Sequence, residues 1–116
     1  VVTERIPVLC EVNVSGEESK DGFTRDELLC AWDELVRLPG VEVRGLMTMA
    51  PLSEDPEAAR PVFAQLRELR ETLQARSEGR LKLPELSMGM SGDYVVAIQE
   101  GATLIRVGSR LFEGLE

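Results

Sequence analysis

Two stretches rich in glycine and serine near the end of the chain have the residue types of an anion-binding site. The first contains Gly89, Ser91 and Gly92, and the second contains Gly108 and Ser109. A phosphate group prefers backbone N–H donors that no side chain obstructs, together with hydroxyl donors, and these residues supply both. Because glycine and serine also occur in most turns, the spacing alone leaves an ordinary turn as the alternative.

A charged residue and four methionines lie near the same stretches. Arg106 interrupts an apolar run, so it is either a donor aimed into the mouth of a sheet or a surface charge that reaches water or a carboxylate. Met47, Met49, Met88 and Met90 are candidates for soft walls around a flat ligand. For at least two of these methionines, simple core packing is the expected role.

The composition excludes several kinds of catalytic site. The chain contains no histidine, which removes a histidine-based triad and a typical zinc site. Its two lysines, Lys20 and Lys82, lie outside the apolar strands, so surface positions are expected rather than covalent catalysis. No pair of acidic residues has a spacing that indicates an acid/base assignment.

Length and charge set further limits. The chain has 116 residues, the size of a single domain, and a net charge of −8, which argues against nucleic acid or an anionic membrane as partner. No apolar run approaches the roughly 20 residues of a membrane span, and no signal peptide is visible. Cys10 and Cys30 are expected to be buried thiols rather than a disulfide, which fits a reducing, cytoplasmic location.

The candidate residues must be positioned by the elements around them, and two of these elements have clear signals. A first strand is predicted over Ile6–Val14. Thr24 and Glu27 form a predicted capping box at the start of a helix. The helix continues with apolar residues at helical spacing, namely Leu28, Trp32, Leu35 and Val36.

The rest of the chain repeats this strand–helix order. A second strand begins at Val41, a third is predicted around Leu83–Met88, and a fourth over 102–107. Asp93 is the predicted N-cap of the helix after the third strand, and Gly101 is its predicted end. The helix between the second and third strands has an apolar stripe of Val62, Phe63, Leu66, Leu69 and Leu73.

Four consecutive strand–helix units predict an α/β fold with a parallel sheet. They fit either a small open sheet or half of an eight-unit (β/α)8 barrel. In both cases ligands bind beyond the carboxyl ends of the strands. The corners after the third and fourth strands would then be neighbours, like the phosphate-binding corners after strands 7 and 8 of a barrel.

Several phrases of the sequence together resemble the pyridoxal-phosphate homeostasis protein family (YggS/PROSC). They occur in the family's order over nearly all of the chain, and Glu113 before Gly114 is a slight departure from the last of them. The phrases are "VNVSGEESKDGF", "VRGLMTMAP", "DPEAARPVFAQLRELR" and "LSMGMSGDYVVAIQEGATLIRVGSRLFEG".

The resemblance implies a barrel like that of alanine racemase, a fold type III barrel carrying pyridoxal 5′-phosphate (PLP). It implies that Ser91, Gly108 and Ser109 hold the phosphate and that Arg106 faces the pyridine nitrogen. Asn13 and Met47 would lie near the ring. The implied task is intracellular PLP homeostasis, without an established turnover.

The resemblance covers only the C-terminal half of the family's barrel. The cofactor-binding lysine of the family lies on an early strand that has no counterpart here, and Lys20 does not match its motif. The amino-terminal half or a second copy of the chain is therefore the expected partner. Two alternatives stay open: an amino-acid racemase or decarboxylase of the same barrel class, and a binding module for another phosphorylated ligand. For a racemase, Tyr94 on a predicted helix is poorly placed as the acid/base group.

Overall fold

Strands and helices alternate along the chain in the computed structural model, which describes residues 5–14, 22–51, 53–77 and 82–106. The strands are β1 (Ile6–Glu11), β2 (Val41–Met47) and β3 (Glu85–Ser87). The helices are α1 (Arg25–Leu35), α2 (Arg60–Arg76), which a 3-10 helix (Pro56–Ala59) directly precedes, and α3 (Tyr94–Gln99). The strands are parallel and lie in the order β1-β2-β3. This arrangement confirms the predicted α/β class and its parallel sheet.

The predicted fourth strand is reduced to one bridge. Leu104 forms an isolated parallel bridge with Ser87, and the N–H of Met88 donates to the Leu104 carbonyl at 3.1 Å. Farther on, the N–H of Arg106 donates to the Gly89 carbonyl at 2.9 Å. Residues 102–106 therefore run beside β3 in the predicted direction without forming a continuous ladder, and Val107 lies outside the described residues. The half-barrel of four units stays a prediction.

An irregularity in β2 changes which of its side chains face the helices. Val8 pairs with Val43, but Leu9 pairs with Gly45, so Arg44 is an extra residue in β2. An extra residue of this kind is a β-bulge, and it shifts the in–out alternation of a strand by one position. For this reason the buried side chains of β2 are Val43 and Leu46, three residues apart.

Helix α1 begins as the sequence predicts. The hydroxyl of Thr24 accepts the N–H of Glu27 at 3.1 Å, and the Glu27 carboxylate accepts the N–H of Thr24 at 2.8 Å. A capping side chain of this kind contributes about 1 kcal/mol. Leu28 and Trp32 are buried, whereas Cys30, halfway between them, faces solvent. The expectation of two buried thiols is therefore correct for Cys10 and wrong for Cys30, although both cysteines are free.

Helix α2 covers the sheet with the predicted stripe. All five members of that stripe are buried, and burying a leucine or phenylalanine side chain fully contributes about 1.5–3 kcal/mol. The indole N–H of Trp32 donates to the hydroxyl of Ser77, just beyond α2, at 3.4 Å. These contacts place α1 and α2 on the same face of the sheet. Among the residues that the structure describes, no helix is long and apolar enough to cross a membrane.

Candidate functional site

The carboxyl ends of β1, β2 and β3 lie side by side at one edge of the sheet. The N–H of Val12 donates to the Met47 carbonyl at 2.8 Å, and the N–H of Thr48 donates to the Ser87 carbonyl at 3.0 Å. The hydrogen bond from Met88 to Leu104 continues this row. Because the row is continuous, the residues that follow the strands meet at one edge of the sheet, as the fold class requires of a ligand site.

Side chains at this edge separate into two faces. Val12, Thr48 and Met88 are buried on the face that packs against the helices. Side chains alternate along extended chain, so their neighbours Met47 and Met49 belong to the opposite face. We call this opposite face the open face. It is partly exposed, and Met49 keeps 36% of its surface accessible.

A buried hydroxyl fixes the ends of β1 and β2 to each other. Thr48 is 3% exposed, and its hydroxyl donates to the Val12 carbonyl at 2.6 Å. A buried carbonyl without such a donor would cost about 1–3 kcal/mol. No signal in the sequence indicates this role, because a threonine after a strand can equally be exposed to solvent.

Arg106 meets two methionines on the open face. Its Nη2 is in contact with the sulfur of Met47, and its Nη1 lies 3.8 Å from the sulfur of Met49. None of the ion pairs formed between described residues includes Arg106. The carboxylate partner considered for Arg106 from the sequence is therefore not found in the described part of the chain. The guanidinium instead touches weak thioether acceptors.

The corner after β3 is shaped by a glycine and an aspartate. Gly89 has a φ of +105°, and a β-carbon there would lie 2.6 Å from that of Ala97. Asp93 occupies the position before α3, but its side chain does not cap that helix. Its carboxylate accepts the N–H of Met90 at 2.7 Å, so the predicted capping role is wrong. The reason is that the turn over 91–93 bends the carboxylate back towards Met90.

Gly92 lies in the same turn and is open to its surroundings. A β-carbon at Gly92 would meet no atom within 4 Å. Ser91 is partly buried and takes part in a polar or ring interaction of its own. Among the described residues there is therefore room beside Gly92, which a group binding to the backbone of the turn would need.

An ion-pair cluster attaches the end of α3 to α2. Glu100 pairs with Arg60 at 2.8 Å and with Arg67 at 2.6 Å, and Arg60 also pairs with Glu57 at 2.7 Å. Hydrogen bonding from Arg60, with a further contribution from Arg67, lowers the pKa of Glu100 below its ordinary value. The same Arg60 lowers the pKa of Glu57. The cluster therefore fixes the C-terminal end of α3 to α2, and the 91–93 turn lies at the other end of this short helix.

The predicted site residues are partly brought together. Met47 and Arg106 are in contact, and Asn13 follows Val12, which is hydrogen-bonded to Met47. Ser91 lies two residues after Gly89, which binds the backbone of Arg106. Gly108 and Ser109 lie outside the described residues. The two-residue spacing of Met47 and Met49 indicates that they share a face, but it does not indicate their contact with Arg106.

Two other expectations about side chains have mixed outcomes. Of the four methionines only Met88 is buried, at 2% exposure, so the expectation of at least two core methionines is wrong. Met49 and Met90 are each 36% exposed. Lys82 is exposed as predicted, and Lys20 lies outside the described residues. Burial raises the pKa of the Cys10 thiol, which keeps it protonated and unreactive.

The comparison to known families agrees with the α/β fold. Residues 2–115 match the family described as alanine racemase, N-terminal domain. The chain belongs to this family.

The individual relatives narrow the assignment. The pyridoxal phosphate homeostasis protein of Aquifex aeolicus is 52% identical over 105 residues, which are 90% of this chain and 45% of that protein. The human protein of the same name is 37% identical over 111 residues, or 94% of this chain and 40% of that protein. These matches confirm the resemblance predicted from the sequence. The chain spans about half the length of the curated relatives that it matches.

Solved structures of relatives have the same fold as this chain. PipY of Synechococcus elongatus without PLP superposes with a TM-score of 0.80 at 37% identity, covering 89% of this chain and 47% of that one. PipY with PLP bound superposes with a TM-score of 0.75 at 39% identity and the same coverage.

Proposed function

We propose that this chain forms the C-terminal half of a PLP-binding barrel and takes part in intracellular PLP homeostasis. The names of its relatives and the PLP bound to PipY support this proposal. The observation that carries it is the position of Arg106: a guanidinium on the open face, in contact with two thioethers and in no ion pair with the described carboxylates.

The described residues fit the cofactor in chemical character. The turn after β3 has an open side at Gly92 that suits a phosphate, and Met47 and Met49 supply polarisable walls beside the ring. When bound, PLP supplies a ring that withdraws electrons from attached groups. We assign the phosphate to Ser91, Gly108 and Ser109, and the ring surroundings to Asn13 and Met47.

Arg106 is assigned to the pyridine nitrogen of the ring. A guanidinium keeps its protons at ordinary pH, so Arg106 donates a hydrogen bond without giving up a proton. Arg106 would therefore leave the ring nitrogen unprotonated, which would weaken electron withdrawal and suit a carrier better than an enzyme that stabilises carbanions.

The barrel needs a second part, and two partners are considered: the amino-terminal half and a second copy of the chain. Ile6 in β1 is 67% exposed, and Leu104, beside β3, is 46% exposed. Ile6 lies on an outer strand of the described sheet, and Leu104 lies in the segment that bridges to the other outer strand, β3. We propose that strands from the partner cover them.

The test is PLP binding by this chain, alone and mixed with the amino-terminal half of the Aquifex aeolicus relative, followed by absorbance and fluorescence of the cofactor. We expect Ser91→Ala and Arg106→Gln each to weaken binding by about tenfold or more, since each removes a donor to a charged or buried acceptor. Arg44→Gln is the matched control, because Arg44 is exposed and pairs only loosely with Glu42 at 3.8 Å.

The outcomes separate the proposed function from its alternatives. Retention of PLP by Arg106→Gln at the level of Arg44→Gln would show that the site assignment is wrong. Binding of inorganic phosphate without any PLP would favour a module for other phosphorylated ligands. Racemisation of alanine by the completed barrel would favour an enzyme over a carrier.

A further inference from the structure

We propose that Met47 and Met49 are positioning residues for Arg106, holding its guanidinium by their thioether sulfurs without neutralising its charge. The inference rests on the proposed function, because it explains how Arg106 stays available to the ring nitrogen of a cofactor. It assigns a role to Met49, which the sequence indicated only as a wall.

Three described arginines are bound by carboxylates instead. Arg60 and Arg67 pair with Glu100, and Arg76 pairs with Asp33 at 3.3 Å. The chain has 21 acidic and 13 basic residues, so carboxylates are plentiful. An arginine whose described side-chain partners are two sulfurs is thus a specific local arrangement rather than the result of a shortage of carboxylates.

Contacts with sulfur suit a hydrogen-bond donor that must release its acceptor in order to bind a ligand. A thioether is a weak acceptor, whereas an ion pair between a guanidinium and a carboxylate is a strong, charge-assisted interaction. A stronger acceptor, such as an aromatic ring nitrogen, can therefore replace a sulfur at little energetic cost. A carboxylate in the same place would compete with the ligand for Arg106.

The geometry fixes the direction of the guanidinium as well as its position. The two sulfurs touch different nitrogens, with Met47 at Nη2 and Met49 at Nη1. Both methionines belong to one stretch of chain and lie on the same face, because they are two residues apart. The backbone N–H of Arg106 is bound to Gly89, so the residue is held at both ends.

The proposal is tested by nitrogen-15 NMR of the Arg106 guanidinium in the protein without cofactor. We expect slower rotation of the guanidinium in the wild type than in the double variant Met47→Leu/Met49→Leu, which keeps the bulk and removes the sulfurs. PLP affinity should fall by about threefold to tenfold in the double variant, the effect of one modest hydrogen bond. Met88→Leu is the control, because Met88 is buried on the opposite face.

A second variant tests whether the side-chain partner of Arg106 has to be a weak acceptor. Met47→Glu should restrict the guanidinium more than the wild type does and yet bind PLP more weakly than the double leucine variant. Unchanged guanidinium rotation in the double variant would overturn the proposal, and so would PLP binding by Met47→Glu as tight as in the wild type. If the NMR signature changes as expected but the wild type binds no PLP, the proposed function fails and the positioning role stands.

Discussion

The backbone of Gly45 in β2 passes so close to the Glu85 carbonyl of β3 that no β-carbon fits between them. The two residues are register partners, and they lie next to the bulge at Arg44. The closeness of the two strands therefore depends on a residue without a side chain. Since β3 leads directly into the Gly89 corner, this contact also positions the candidate site.

Replacement of Gly45 by alanine is expected to destabilise the fold by about 3 kcal/mol, because the methyl group collides with backbone that cannot move aside easily. Denaturant unfolding followed by circular dichroism measures the change. Gly40→Ala is the matched control, since a β-carbon there meets nothing within 4 Å, and it should stay within about 0.5 kcal/mol of the wild type. Equal stability of the two variants would contradict the role of Gly45 as a close contact between strands.

The Glu100 cluster predicts a specific dependence of stability on pH. The folded-state pKa of Glu100 is lowered by Arg60 and Arg67 from an ordinary value of 4.5. Its contribution is therefore complete above about pH 4.5 and is lost as the pH falls through the lower folded value. Glu100→Gln should lower the melting temperature near neutral pH, and its difference from the wild type should shrink in acid.

Thermal melts of wild type and Glu100→Gln between about pH 7 and about pH 3 check this prediction. Glu71→Gln is the control, because Glu71 is exposed on α2 and forms none of the ion pairs between described residues. A difference between wild type and Glu100→Gln that stays constant over this range would show that the cluster does not depend on the Glu100 charge.

Thr48→Val should cost about 1–3 kcal/mol, because it keeps the shape of the side chain and leaves the buried Val12 carbonyl without its donor. Equilibrium unfolding measures the loss. Thr72→Val is the comparison, since the Thr72 hydroxyl donates to the Glu68 carbonyl on an exposed part of α2, where water can replace it. A loss in Thr48→Val no larger than in Thr72→Val would mean that the bond between the strand ends is dispensable.

Gly89 and Gly92 lie in the same corner, but replacing them by alanine should change the stability of the fold by different amounts. Gly89→Ala combines a φ of +105° with a collision against the buried Ala97, so we expect a loss of about 2–3 kcal/mol. Gly92→Ala should leave stability within about 0.5 kcal/mol. Under the proposed function it should still weaken PLP binding, because the new methyl group would occupy space beside the turn to which the phosphate is assigned.

Melting temperatures and PLP titrations of both glycine variants provide the measurement. Normal PLP affinity in Gly92→Ala would place the phosphate away from this turn. A stable Gly89→Ala would mean that the corner adjusts its backbone more freely than its contacts with α3 indicate.

The fold was predictable from the sequence where local chemistry decides structure. The capping box at Thr24 and the stripe on α2 depend on side chains close together in the chain, and both are confirmed. The role of Asp93 was harder to predict, since an aspartate before a helix can bind either the helix or the preceding turn. The predicted burial of Cys30 is wrong because a thiol gives no reliable signal of the face on which it lies.

The candidate site was predictable only as a set of residue types. The sequence indicated Arg106 and Met47 separately, and their contact depends on the register between β2 and the chain after β3. That register is a long-range property with no local signal. The phosphate assignment to Gly108 and Ser109 stays a prediction, because both lie outside the described residues.

Pro7 in β1 has a consequence for how the chain behaves at high concentration. The N–H of Ile6 points towards β2, where it binds the Gly40 carbonyl, so the ring nitrogen of Pro7 occupies the outward position that a donor would otherwise fill. The exposed edge of a strand can pair with strands of other copies of the chain, which leads to aggregation. A proline in that strand interrupts the hydrogen bonds of such a pairing. In the described sheet, where β1 is an outer strand, Pro7 therefore opposes the addition of further copies of the chain and the growth of fibrils.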